Sequence, residues 1–247
     1  MEKKDKVDDI VREIFDPYVL GDEMPKHLLN SPVTYQQITE FASLIAENKS
    51  EESFQSYVAQ NPNFLFRLAP STDDTGLGLI AKPPISIFNT ADFGILGVSQ
   101  GGTRMFLIEL ERPSDQLFTK KLTPAQKLQG AIGQIHDWDQ WIRSNRHTFF
   151  NTCFTILKNA PKYPNRTHNG TFIYEEPEHI EGLWNAFGGS DYCTIEYLIV
   201  IGRWSQLLKV EQERLIYLNT QYKHLNLRIR TYDNLVRKAI DGPRLFW

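Results

Sequence analysis

The chain has 247 residues, of which 41% are hydrophobic and 23% charged, with a formal net charge of -3. That suits one sizeable globular domain with an appendage, or two small ones, and argues against a protein that coats nucleic acid through its overall field. No run of about 18 apolar residues occurs, and Met1-Glu2-Lys3-Lys4-Asp5-Lys6 is too charged for a signal peptide, so a cytoplasmic protein with no membrane partner is expected.

In chain order, Val7, Ile10, Val11, Ile14 and Phe15 recur at helical spacing between about Asp5 and Tyr18, with Gly21 as a stop. After a break at Leu28 to Pro32, Thr34 caps a second helix carrying Ile38, Phe41, Leu44 and Ile45. Residues 1–47 are too few for a core of their own and read as a helical N-terminal appendage, packed on the domain of residues 48–247 or used in self-association. Ser50 is a candidate N-cap, with Glu51 and Glu52 in a first turn whose dipole favours acids, and that helix ends at Asn61-Pro62. Turn-forming residues from Ala69 to Pro84 predict a loop, followed by a strand over Ile85 to Asn89.

The stretch that organises the rest begins at Asp92. A strand from Asp92 to Val98 turns at Ser99-Gln100-Gly101-Gly102 into a second strand, Met105 to Leu110, which Pro113 ends. Glu109 and Glu111 leave the same face of that strand, roughly 6.6 to 7 Å apart, while Phe106, Ile108 and Leu110 line the other. Two charges facing an apolar layer would be costly, so a polar cleft holding a cation is the cheaper arrangement. The hairpin brings Asp92 close to the Glu109 end, and the three acids together form a set of oxygen ligands fit for a hard divalent ion. Strand-end carboxylates that are merely solvated remain the plainer alternative.

Ser114 to Thr123, with Lys120 and Lys121, reads as a crossover. Leu122 to Ser144 is the clearest helix: Ala125, Leu128, Ile132, Ile135 and Ile142 make its core stripe, with Lys127, Gln134, Trp138 and Trp141 beside it. Gln134 borders either the site or the core, and Trp138 belongs to packing. Phe149 to Leu157 is expected as a strand, followed by a loop with Lys158, Lys162, Arg166 and His168, whose charges are either solvated or in contact with DNA. A helix over Glu175 to Phe187 ends at Gly188-Gly189. Thr194 to Arg203 carries the continuous apolar run of a buried strand, Leu207 to Tyr222 a helix, Asn226 to Tyr232 a strand, and Asp233 caps a last helix to Ile240. Cys153 and Cys193 read as buried thiols, the six histidines show no metal-ligand spacing, and the sequons at Asn48, Asn165 and Asn169 are chance matches.

Asp92-Phe93 followed by Glu109-Leu110-Glu111-Arg112-Pro113 resembles the active-site hairpin of PD-(D/E)XK nucleases, and more narrowly that of the Shedu anti-phage nuclease family. Glu52-Ser53-Phe54-Gln55 with Asn61-Pro62, the helix with Gln134-Ile135-His136-Asp137-Trp138, and Ile229-Arg230-Thr231-Tyr232-Asp233-Asn234-Leu235 agree with that family in order and spacing. The resemblance implies an α/β fold with a PD-(D/E)XK (restriction-endonuclease-like) core, a mixed central sheet flanked by helices. It implies a DNA endonuclease of anti-phage defence using Mg²⁺ or Mn²⁺ on Asp92, Glu109 and Glu111, with Gln134 and Glu52 supporting the site, a homo-oligomeric state and no small-molecule cofactor. Glu111 stands where the pattern usually has Lys. That departure keeps open a catalytically inactive DNA-binding or regulatory module; a glycosidase using two paired carboxylates is the third and weakest reading.

Overall fold

In the computed structural model, residues 2–15, 33–66, 68, 75–99, 102–162, 170–173, 177–186 and 193–241 are described. The elements are α1 (Glu2–Phe15), α2 (Tyr35–Ala46), α3 (Glu51–Gln60), the single turn α4 (Asn63–Phe66), β1 (Thr75–Ala81), β2 (Phe93–Ser99) and β3 (Gly102–Leu110). They continue with α5 (Gln126–Ser144), α6 (Arg146–Lys158), β4 (Phe172–Ile173), α7 (Pro177–Ala186), β5 (Cys193–Val200), α8 (Lys209–Gln221), β6 (Leu227–Arg230) and α9 (Tyr232–Asp241). The six strands form one sheet in the order β4-β1-β2-β3-β5-β6. β3 pairs with β2 antiparallel and with β5 parallel, so the sheet is mixed.

Alternation along β3 assigns the two faces. Met105 and Leu107 join a core with Leu128, Ile135, Trp138 and Ile142 of α5. Phe106, Ile108 and Leu110 join a second core with residues of α1, α2, α3 and α9. The result is a three-layer α/β sandwich in which Val7, Val11 and Ile14 of α1 and Ile38 and Phe41 of α2 lie in the same apolar layer as α3 and α9. Thr34 caps α2 through a reciprocal box with Gln37. Ser50 occupies the N-cap of α3, but its side chain makes no capping bond there.

Three stretches differ from the sequence expectations. Residues 149–157 are helical, within α6. Phe149, Phe150, Cys153 and Leu157 fall on one helical face, and the hydroxyls of Thr152 and Thr155 fold back onto the carbonyls of Thr148 and Asn151. Residues 75–81, expected as loop, form β1. Gly78 lets α6 lie on that strand, since a Cβ there would stand 2.5 Å from Leu157 Cδ2. Residues 85–89 make a compact loop instead of a strand, because Ser86 Oγ accepts the amides of Phe88 and Asn89 and closes a turn. The Gly21 stop, the break at 28–32, Gln100 and Gly101 of the hairpin turn, Arg166, His168, the sequons at 165 and 169, and Gly188-Gly189 lie outside the described residues. No helix among the described residues is long and apolar enough to cross a membrane.

Candidate functional site

The end of β1, the start of β2 and the ends of β3 and β5 meet at one edge of the sheet: Ala81 faces Phe93, Phe93 faces Ile108, and Leu110 faces Val200. Asp92 immediately precedes β2 and is tied into that edge by its own backbone. Its amide donates to the Ile108 carbonyl at 3.1 Å and its carbonyl accepts the Lys82 amide at 2.8 Å. The carboxylate, 5% exposed, accepts the Leu110 amide on Oδ2 at 2.7 Å and the Gln55 amide nitrogen on Oδ1 at 2.8 Å. Leu110 stands between Glu109 and Glu111 in the chain, so that backbone bond ties the Asp92 carboxylate to the segment that carries both acids.

Glu109 extends from β3 toward the layer containing α5. Its Oε2 is buried with no hydrogen-bond partner among the described residues. Burial first, and then the charges of Asp92, Glu111 and Glu51, push the Glu109 carboxyl up to about 9, with Lys82 opposing. Glu111 is 8% exposed; its Oε2 accepts Lys127 Nζ at 3.0 Å, and its carbonyl accepts the Tyr232 hydroxyl at 2.6 Å. The bond to Glu111 raises the pKa of Lys127. Tyr232 is itself fixed by stacking on Phe41 and edge-on contact with Phe54, centroids 5.8 and 5.3 Å away, so the helical layer on the opposite face sets the backbone at Glu111.

Of the residues expected at the site, Asp92, Glu109 and Glu111 are brought together. Gln134 lies partly buried on α5, two turns beyond Lys127 and so on the same helical face, about 10.5 Å along the axis. Trp138 is fully buried in the core, as a packing residue should be. Glu52 is exposed and lines a shallow surface depression with Leu44, Ser53 and Tyr57. Its neighbour Glu51 takes the place expected of it: the Glu51 carboxyl is raised by burial and by the charges of Glu111 and Asp92, and its Oε1 accepts Gln55 at 3.0 Å. One residue on a helix is a rotation of about 100°, enough to exchange one glutamate for the other.

Besides Glu51, the residues that sequence reasoning missed here are cationic or amide-bearing. Lys82 Nζ pairs with Asp92 Oδ1 and donates to Gln55 Oε1 at 2.8 Å, while its backbone is left-handed at φ 52°, uncommon for a residue with a side chain. Gln55 stands one turn after Glu51, a spacing visible in the sequence. Lys82 carries no local signal, because only the β1–β2 pairing brings it to Asp92. Among the described residues, no three or more His, Cys, Asp or Glu side chains stand close enough together to hold a metal ion as they are. The donor chemistry nonetheless fits a hard divalent cation: three carboxylates share one strand edge, one of them a buried oxygen without a partner, and lysines at present neutralise the other two.

A second buried ionic cluster backs this edge. Arg203, 2% exposed, forms bonds to both oxygens of Asp233 at 2.8 to 3.0 Å and to Glu13 of α1 at 2.9 Å. Asp233 also accepts the Trp204 amide at 2.6 Å.

Among protein families, the one described as Shedu protein SduA, C-terminal, matches residues 48–236, which include every residue of the carboxylate edge. No curated protein matches the chain.

Proposed function

The chain belongs to the Shedu SduA C-terminal family, whose setting is anti-phage defence, and from that premise we propose that it is a divalent-metal-dependent DNA endonuclease with its centre at Asp92, Glu109 and Glu111. The observation that carries the reading is Glu109, a buried carboxyl with an unsatisfied oxygen between two other acids. Among the described residues no hydrogen bond satisfies that oxygen, and perturbed acids of this kind mark sites where chemistry is done.

Asp92, Glu109 and Glu111 would hold Mg²⁺ or Mn²⁺, which when bound polarises the scissile phosphodiester and lowers the pKa of an attacking water. The protein's own groups do the rest. Asp92 is held in register by the Leu110 amide on one oxygen and by Gln55 and Lys82 on the other. Lys82 and Lys127, both about half exposed, offset the field of four acids that would otherwise repel a phosphate. Glu111, gripped by Lys127, orients water or adds a ligand. Lys127 puts an ammonium beside the Glu-x-Glu end although position 111 itself is acidic. Gln134 contributes an amide from the α5 face, and Glu51 and Gln55 support Asp92 from α3.

The second reading, a nuclease fold that binds DNA without cutting it, draws on the same lysines: they already satisfy Asp92 and Glu111 as internal counter-ions. A plasmid-nicking assay in Mg²⁺, Mn²⁺ and EDTA separates the two. Cutting that needs metal and disappears in Asp92→Ala and Glu109→Ala supports the nuclease. Wild-type protein that retains plasmid without nicking it in either metal supports the binding module instead.

A further inference from the structure

The most exposed large apolar residues among the described residues are adjacent: Ile87 is 89% exposed and Phe88 87%. They form the tip of the loop between β1 and β2, whose two roots are Lys82 and Asp92. A loop without internal bonds would be free to hide such residues against the nearest core; this one is tied at its base with them pointing outward. Ile85 is buried as an anchor, and Pro83 packs over Gly94, where a Cβ would meet Pro83 Cγ at 3.2 Å. The Asn89 carbonyl accepts the amides of Ile85 and Ser86 at 2.8 and 3.0 Å, Ser86 Oγ caps Phe88 and Asn89, and Pro84 bridges Thr90. Removing both tip side chains would cost the fold nothing, since they touch almost nothing.

We propose that Ile87 and Phe88 form an apolar wedge that enters the base stack of duplex DNA beside the cut, a role that rests on the nuclease reading above. Two features favour DNA over a protein partner. The tip rises from the sheet edge that holds the carboxylates, where a phosphodiester has to arrive, and its root is a half-exposed lysine beside Asp92, so a cation for phosphate and an apolar tip for bases occur on one loop. The reach also matches. Phe88 is four residues from Asp92, at most about 14 Å of extended chain, and successive phosphates along a strand rise about 3.4 Å, which places the wedge within roughly four base pairs of the scissile bond.

The test compares wild type with Ile87→Ser/Phe88→Ser on supercoiled plasmid. The double variant should keep the wild-type melting temperature and its calorimetric titration by Mg²⁺ alone, yet bind and nick DNA roughly ten- to a hundred-fold more weakly, the span expected for one lost stacking contact. In the wild-type complex, permanganate should oxidise unstacked thymines within about four base pairs of mapped nicks, and the variant should lose that signal. Wild type that nicks without permanganate reactivity, with a variant that nicks equally well, would overturn the wedge and leave the nuclease standing. A variant that nicks normally but falls to a smaller assembly by light scattering would overturn it in favour of a contact between copies. Wild type that neither binds nor nicks in Mg²⁺ or Mn²⁺ would bring both readings down together.

Discussion

Replacing Glu109 with Gln should stabilise the metal-free protein increasingly as pH rises. The Glu109 carboxyl is pushed up to about 9 by burial and by Asp92, Glu111 and Glu51, whereas in the unfolded chain it ionises near 4.5. Between those values the folded state holds one proton more than the unfolded state. Stability from this group is therefore complete below about 4.5 and is lost as pH climbs toward 9, by up to about 1.4 kcal/mol per pH unit. From pH 6 to pH 8 that is at most about 2.7 kcal/mol, or roughly 5 to 10 °C of melting temperature for a chain of this size. Gln is the neutral isostere of the protonated acid and has no such slope. Melting curves of both proteins in EDTA at pH 6, 7 and 8 would read the gap between them, which should widen with pH, while saturating Mg²⁺ at pH 8 should rescue the wild type far more than the variant. Parallel curves across the range would refute the reasoning, because they would mean that Glu109 is ionised and tolerated in the folded protein.

The placement of α3 predicts that Glu51→Ala weakens metal binding in calorimetry and lowers nicking, whereas Glu52→Ala changes neither; the reverse order would mean that α3 is rotated relative to the site. Asp233→Ala should destabilise the fold by about 3–5 kcal/mol, because among the described residues it leaves the buried Arg203 with only Glu13 and Ser205 as side-chain partners. Urea melts would measure that loss, and a value under about 1 kcal/mol would show that water reaches the guanidinium.

What the sequence discloses, and what it does not, follows the range of the forces involved. The β2–β3 hairpin, α5 and β5 are legible because each carries its own period: alternation, a 3.6-residue stripe, or an unbroken apolar run. The acids of the candidate site are legible as well, since Glu109 interrupts the apolar run of β3 and Glu111 follows just after its end. Residues 149–157 mislead because two adjacent phenylalanines and a β-branched sprinkling imitate a strand, and only the positions of Cys153 and Leu157 show the helical phase. β1 is nearly invisible, because Gly76 and Gly78 erase its pattern and its pairing partners come later in the chain. Lys82 and Lys127 show the same limit at the site. A carboxylate cluster announces its need for positive charge, but which lysine answers depends on strand pairing and helix docking many residues away.

The hydroxyl of Tyr232 reaches back across 121 residues to the carbonyl of Glu111, and this gap has a meaning in time as well as in space. A ribosome adding about 5–20 residues per second releases the three acids long before it makes their support. For about 6 to 24 s the nascent chain carries Asp92, Glu109 and Glu111 without the tyrosine that fixes the strand end, and for roughly the first 4 to 18 s of that time without a complete β5. Parallel pairing of β3 with β5 needs both strands, so that side of the acidic edge stays open until β5 has been made. The architecture around the acids is therefore complete only once β5, β6 and Tyr232 have followed them out of the ribosome, and a copy that stops short of Tyr232 carries the three acids without it.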